Sequence, residues 1–279
     1  MKIAVTGASG YLGHFVMNGL KRAGHDVLAL SRQPCASHDH VEYQLGDAPD
    51  MADVDAVVHC AFSHVPGKYR GGEGDDPDGF RMLNVDGSIT LFKAAKAQGI
   101  SRLIFLSSRA VYGTHPNGMT LAEHTPCAPD TLYGQVKWEA EVALLALADA
   151  GFHPTTLRAT GIYGAAYPQG WHKWRGLFEE FEQGAELPPR QGTEVHGEDF
   201  ADAVNLILGA AKPPQIANVS DILLDRRDLL AEYAALRSAN RPLPNAAAST
   251  PNVMTCDVLK ELGWRPGGRD RLTAFLQSL

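Results

Sequence analysis

Ile3-Ala4-Val5-Thr6-Gly7-Ala8-Ser9-Gly10-Tyr11-Leu12-Gly13 is the stretch that decides the fold. A short apolar run ends in a glycine-rich turn, and the turn opens a helix expected to reach about Ala23. Strand, glycines and helix in that order suit a dinucleotide pyrophosphate. Unpaired backbone N–H groups at a helix N-terminus face the phosphates, and the helix dipole favours their charge. Glycine allows close backbone approach and positive φ. The spacing is G-x-x-G-x-x-G rather than G-x-G-x-x-G, and Gly7, Ser9, Gly10, Tyr11, Leu12 and Gly13 form the expected cradle.

Working outward, short β-type runs alternate with helical stretches over the first 160 or so residues. The runs are Lys2–Thr6, Asp26–Leu30, Val41–Leu45, Ala56–Cys60, Leu103–Ser107 and Thr155–Arg158, and the clearest amphipathic helices are Ser88–Gln98 and Val136–Ala150. Such alternation implies an α/β fold with a doubly wound parallel sheet, in which ligands sit beyond the strand C-termini. After Gly164 the texture changes: Tyr167–Trp174 reads as loop, Glu198–Ala211 and Arg226–Arg237 as helices, Ala217–Ser220 as a strand returning to the sheet, and Arg241-Pro242-Leu243-Pro244 as a linker. The expected division is a dinucleotide-binding part, 1–164, and a small substrate lobe, 165–279, interleaved with it.

The 279 residues are 44% apolar and 20% charged, ordinary for a globular enzyme, and the net charge of −7 argues against nucleic acid or an anionic membrane as partner. No apolar run approaches a membrane span, and Lys2 leads directly into a strand instead of a signal peptide, so a cytoplasmic location is expected. The four cysteines, Cys35, Cys60, Cys127 and Cys256, lack paired spacing and read as reduced thiols, with no metal site.

Tyr133-Gly134-Gln135-Val136-Lys137 sets a phenol and an ammonium four residues apart on one helical face. A nearby cation stabilises phenolate and brings a group of ordinary pKa about 10 toward acid–base duty. Leu106-Ser107-Ser108 closes a strand 25 residues earlier, where a hydroxyl projects into the same cleft. Ser107 is expected to cap or turn the chain, and Ser108 to orient a substrate oxygen.

With these pieces in hand, the chain resembles the extended short-chain dehydrogenase/reductase family, also called the epimerase/dehydratase family. The matching segments are Thr6–Gly13, Gly46-Asp47, Val57-Val58-His59-Cys60-Ala61, Asn84-Val85, Ser107–Gly113, Tyr133–Lys137, Leu157–Gly164 and Glu261-Leu262-Gly263-Trp264. The resemblance implies a Rossmann-type sheet and a catalytic triad of Ser108, Tyr133 and Lys137, with Lys137 also bonding the nicotinamide ribose. It further implies cofactor contacts at Asp47, Cys60 and Ala61, and dimer faces on Ser88–Gln98 and Val136–Ala150.

The second strand ends Ala29-Leu30-Ser31-Arg32, without the acid that would accept both adenosine ribose hydroxyls. Ser31 and Arg32 suit a 2′-phosphate, so NADP is favoured, with NAD as the alternative. Family members acting on nucleotide sugars carry a substrate-diphosphate asparagine where this chain has Gly161, and an arginine where it has Gly192, with Arg190 nearby. Dehydratase members follow the active hydroxyl with Asp-Glu, whereas Arg109-Ala110 stands here. The expected substrate is therefore a small carbonyl or sugar-like compound. Arg109, Gly161, Arg190, His64, Lys68, Tyr69 and Arg70 in the loop Phe62–Gly79, and Trp171, His172 and Trp174 are the candidate contacts. An epimerase that retains NAD, and a cofactor-sensing regulator without turnover, are the other readings.

Overall fold

The computed structural model describes residues 1–35, 39–65, 71–166 and 171–279. Lys68, Tyr69, Arg70 and the stretch 167–170 lie outside the described residues.

From the N-terminus run β1 (Lys2–Thr6), α1 (Tyr11–Arg22), β2 (Asp26–Ser31), β3 (Asp39–Glu42), β4 (Ala56–His59) and α2 (Pro77–Arg81). A π-helical turn, Met82–Asp86, joins α2 to α3 (Gly87–Ala97), and β5 (Arg102–Ser108) ends in a 3-10 turn, Arg109–Tyr112. Then follow α4 (Leu132–Leu145), β6 (His153–Ala159), β7 (Gly161–Tyr163), α5 (Arg175–Glu182), β8 (Gln191–His196), α6 (Gly197–Gly209), β9 (Ile216–Val219), β10 (Ile222–Asp225), α7 (Arg226–Arg237), α8 (Asp257–Glu261) and α9 (Gly268–Ser278).

The main sheet has the order β3-β2-β1-β4-β5-β6-β9, with every pairing parallel. The order reverses between β1 and β4, and that crevice is where doubly wound folds bind ligands. Alternation in β1 divides the core: Ile3 and Val5 face the layer of α1, α6 and α8, whereas Ala4 faces that of α3 and α4. Burial on both faces accounts for the unbroken apolar runs.

A second sheet, β10-β8-β7, escaped the sequence reading. Its strands are short, and Gly161, Gly192, Glu194 and Asp225 break their apolar pattern. It carries its own aromatic core, in which Tyr163 stacks on Trp174 at 5.1 Å and Phe178 on Tyr233 at 4.0 Å. Strand β3 covers Asp39–Glu42 rather than Val41–Leu45, and two helices also differ from expectation. The loop after β4 contains α2, started by Asp76, whose side chain accepts the Gly79 N–H, and by Pro77 at the first helical position. Helix α4 begins at Leu132 and ends at Leu145 instead of running Val136–Ala150, because the Thr131 hydroxyl accepts the Gly134 N–H at 3.1 Å and caps it early.

That early start puts Tyr133 and Lys137 in the first turns of α4. A buried network then ties α4 to the sheet. The Arg158 guanidinium on β6 donates to both carboxylate oxygens of Glu141, at 2.7–3.2 Å, and to the Glu123 carbonyl. The Glu123 carboxylate accepts the Asn218 N–H of β9, and Tyr112 donates to the Asn218 side chain at 2.7 Å.

Candidate active site

The glycine turn has the form a pyrophosphate needs. Gly7 adopts φ +64°, and a Cβ there would meet the Ala61 backbone at 2.8 Å, so strand β4 can close against the turn only at glycine. Gly10 occupies the N-cap of α1 without a side-chain hydrogen bond, and no acid sits in the first turn. The Gly10 N–H closes the turn onto the Gly7 carbonyl at 2.9 Å, and the positive end of the α1 dipole lies toward the exposed Ser9 and Gly10. Tyr11 spans away from the turn: its hydroxyl donates to the Gly164 carbonyl at 2.8 Å and its ring meets Trp171 edge-on at 4.9 Å. Leu12 packs against the main core.

At the end of β2 the Ser31 hydroxyl is buried and donates to the Gln33 carbonyl at 2.7 Å, so its proton is committed to the turn. Arg32, next in the chain, is exposed. Asp47 accepts the Gln44 N–H at 2.8 Å and shapes the turn after Leu45.

Below the cradle, the Cys60 N–H donates to the Thr6 carbonyl and the Ala61 N–H to the Thr6 hydroxyl. His59 lies wholly buried between the Thr6 hydroxyl, at 2.6 Å, and the Ser88 hydroxyl, at 3.0 Å. Burial, then the Lys137 charge, lowers its pKa to about 3, so the ring is neutral. The unfolded imidazole has the ordinary value of about 6.5. This contribution to stability is whole above pH ~6.5 and is lost as the pH falls toward 3. The His59 ring resonances are expected not to titrate between pH 8 and about 5 in NMR of the folded protein; titration near 6.5 would refute the assignment.

Lys137 is buried and its ammonium donates to the Leu106 carbonyl at 2.7 Å, under the rings of Phe62 and Phe105 at 4.3 and 4.8 Å. Burial lowers its pKa to about 7, against the opposing pull of Cys60 and Glu141. The Cys60 thiol is pushed up to about 12 by burial, with Lys137 acting the other way. Tyr133, one turn earlier, is half-buried and its ring meets Phe62 edge-on at 5.3 Å. Phe62 thus touches both residues, yet the sequence marked it only as the start of a loop. Its segment is pinned by Asn84, whose amide accepts the Ser63 N–H and donates to the Ser63 and Phe80 carbonyls.

The two serines exchange one expected part. Ser107, expected to cap, points into the interior, and its hydroxyl is buried without a hydrogen-bond partner. Ser108 has extended backbone and caps the 3-10 turn, accepting the Ala110 N–H at 3.2 Å. Period-two alternation makes this so: adjacent strand residues cannot share a face. The cap uses the Ser108 oxygen as acceptor and leaves its O–H to donate.

The substrate-side candidates divide. Arg109 donates twice to the Asn252 carbonyl, at 2.9 and 3.2 Å, and so fastens the 3-10 turn to the C-terminal segment. His64 bonds through Nδ1 to the Val65 carbonyl, beside Phe62. Trp171 is 40% exposed against Tyr11, whereas His172 and Trp174 are buried in the aromatic core. Gly161 opens β7 opposite Glu194, and Glu194 forms an ion pair with Lys173; neither charged residue was singled out from the sequence. Arg190 is exposed beside that pair. Among the described residues no cluster of His, Cys, Asp and Glu could hold a metal ion, and no helix is long and apolar enough to cross a membrane.

Residues 3–220 match the profile of the NAD dependent epimerase/dehydratase family. The chain belongs to that family. It is 34% identical over 175 residues to a 2-alkyl-3-oxoalkanoate reductase of Stenotrophomonas maltophilia, covering 59% of this chain and 52% of that one. It is 29% identical over 177 residues to a UDP-glucose 4-epimerase of Corynebacterium glutamicum, again covering 59% of this chain and 52% of that one. The chain thus spans about half the length of the curated relatives it matches. In fold it is similar to the UDP-glucose 4-epimerase of Thermus thermophilus solved with NAD, with a TM-score of 0.80, 22% identity and coverage of 99% and 98% of the two chains. The fold accordingly agrees with the family: a Rossmann-type parallel sheet with helices on both faces.

Proposed function

We propose that this member is an oxidoreductase that uses NADP to interconvert a small carbonyl or sugar-like compound and its alcohol, with Ser108, Tyr133 and Lys137 as the proton-handling residues. The observation that carries the reading is Lys137: a buried ammonium held on the Leu106 carbonyl, one helical turn from Tyr133. Residues 1–164 hold the dinucleotide on this reading, and 165–279 shape the substrate side.

The uncapped N-terminus of α1 binds the pyrophosphate, Asp47, Cys60 and Ala61 border the adenine and ribose, and exposed Arg32 meets a 2′-phosphate. The nicotinamide ring, when bound, supplies or accepts the hydride. Tyr133 gives its phenolic proton to the substrate oxygen or takes one from it. Ser108 donates its O–H to the same oxygen. Lys137 stabilises the phenolate by charge and so brings the Tyr133 proton within reach at neutral pH. A homodimer through α3 and α4 belongs to the same proposal; Val142 on α4 is 49% exposed.

The curated UDP-glucose 4-epimerase relative favours a second reading, an epimerase that keeps NAD bound through its cycle. Cofactor content separates the two. Freshly purified protein is expected to release no stoichiometric NAD on denaturation and to bind NADPH at least ten times more tightly than NADH, with Arg32→Ser removing most of that preference. Stoichiometric bound NAD, or equal affinities, would replace the NADP reading with the epimerase one.

A further inference from the structure

Beside Gly161 lies a charge pair, Lys173 and Glu194. Gly161 follows Ala159 by two residues, and Ala159 is the register partner of Ser108 across β5 and β6. Strand spacings put it on the order of 8 Å from the Ser108 backbone, beyond the C-terminal edge of the sheet where ligands of such folds sit. A Cβ on residue 161 would collide with Glu194 Oε2 and come within 2.7 Å of Lys173 Nζ. Glycine therefore leaves this place to the two charged groups.

Glu194 faces Gly161 in register on β8, while Lys173 reaches it from the segment before α5, its ammonium 5.2 Å from the centre of the Trp174 ring. The side chains are 24% exposed at Lys173 and 12% at Glu194. Burial lowers the Lys173 pKa, Glu194 pulls it back up, and the charge of nearby Arg190 lowers it further.

A paired ammonium and carboxylate carry no net charge and present donors and acceptors side by side. A hydroxyl group, which both donates and accepts, satisfies both at once. A pyrophosphate does not: it has no proton for the carboxylate and is repelled by it. We propose that Lys173 and Glu194 form a hydroxyl-reading subsite, selecting a free polyhydroxy sugar over a nucleoside-diphosphate sugar. The proposal rests on the oxidoreductase reading above.

The test is binding, without turnover. Protein saturated with NADP is titrated with D-glucose, D-galactose, D-xylose and L-arabinose, and separately with UDP-glucose and UDP, by tryptophan fluorescence and calorimetry. At least one free aldose is expected to saturate the protein, with neither UDP nor UDP-glucose competing. Glu194→Gln and Lys173→Met are each expected to weaken that aldose about 10–100-fold, as losing a charge-assisted hydrogen bond does, with NADP affinity unchanged as the check on folding. Saturation by UDP-glucose or UDP, no binding of any aldose, or variants that bind the aldose as the parent does would each overturn the subsite. Failure of the parent to bind any dinucleotide would instead overturn the oxidoreductase reading on which it rests.

Discussion

Tyr133→Phe is expected to lower kcat by about 10²–10⁴-fold, the range that a positioned general acid–base group contributes. The substitution keeps the ring and so keeps the edge contact with Phe62. It removes only the hydroxyl proposed to exchange the proton. Dinucleotide affinity is therefore expected to stay within about twofold of the parent, and the effect to lie in kcat rather than in substrate KM. Lys137→Met gives the contrasting pattern. Its ammonium is expected both to tune Tyr133 and to hold the nicotinamide ribose, so cofactor affinity and kcat fall together. Removing a buried charge from beside His59 and Cys60 also relieves the burial penalty on Lys137, and the variant is expected to fold. Steady-state rates with whichever sugar binds, alongside dinucleotide titrations of the three proteins, read both effects. A Tyr133→Phe protein that turns over and binds as the parent does would remove Tyr133 from the chemistry. It would leave the cofactor-sensing regulator as the reading to pursue.

The sequence carried the cradle, the parallel sheet and the paired Tyr and Lys because each is a local pattern: glycines at fixed spacing, apolar runs of strand length, side chains four apart on a helix. The second sheet was hidden because β7, β8 and β10 owe their formation to neighbours distant in sequence, and glycines and charges interrupt their apolar runs. Phe62 gave no signal because its contacts with Lys137 and Tyr133 are made by the fold. The same holds for Lys173 and Glu194, which lie 21 residues apart on different elements. Some signals were present and passed over. Asp76-Pro77 and Thr131 are ordinary helix starts, and reading them would have found α2 and placed the beginning of α4 correctly. Ser108 as the capping serine was equally available from strand alternation.

Arg158→Met is expected to cost about 3–5 kcal/mol of stability, the largest loss expected from a single side chain away from the glycine turn. Arg158 is 1% exposed and Glu141 is wholly buried. Burial alone works to lower the guanidinium's pKa, but the hydrogen bonds and charge of Glu141, with Tyr112, raise it on balance. The ring of Tyr112 lies 4.8 Å from the guanidinium and that of Trp138 5.7 Å. Methionine fills much of the same volume yet leaves the Glu141 carboxylate without its partner and the Glu123 carbonyl without a donor. The penalty is that of an unpaired buried charge, distinct from the modest net worth of the pair. A marginal domain has about 5–15 kcal/mol in total, so the melting temperature is expected to fall on the order of 10 °C. Arg158→Met combined with Glu141→Leu is expected to recover most of the loss, because an apolar pair leaves no charge to desolvate. Because Glu141 sits one turn beyond Lys137 on α4, the single variant is also expected to loosen the helix that carries the proposed Tyr133 and Lys137, lowering kcat at temperatures where the protein is still folded. Thermal and urea unfolding of the parent, both single variants and the double variant give the coupling energy directly. A single variant within about 1 kcal/mol of the parent, or a double variant no better than the single, would show that α4 is held by its packing and that the ion pair is dispensable.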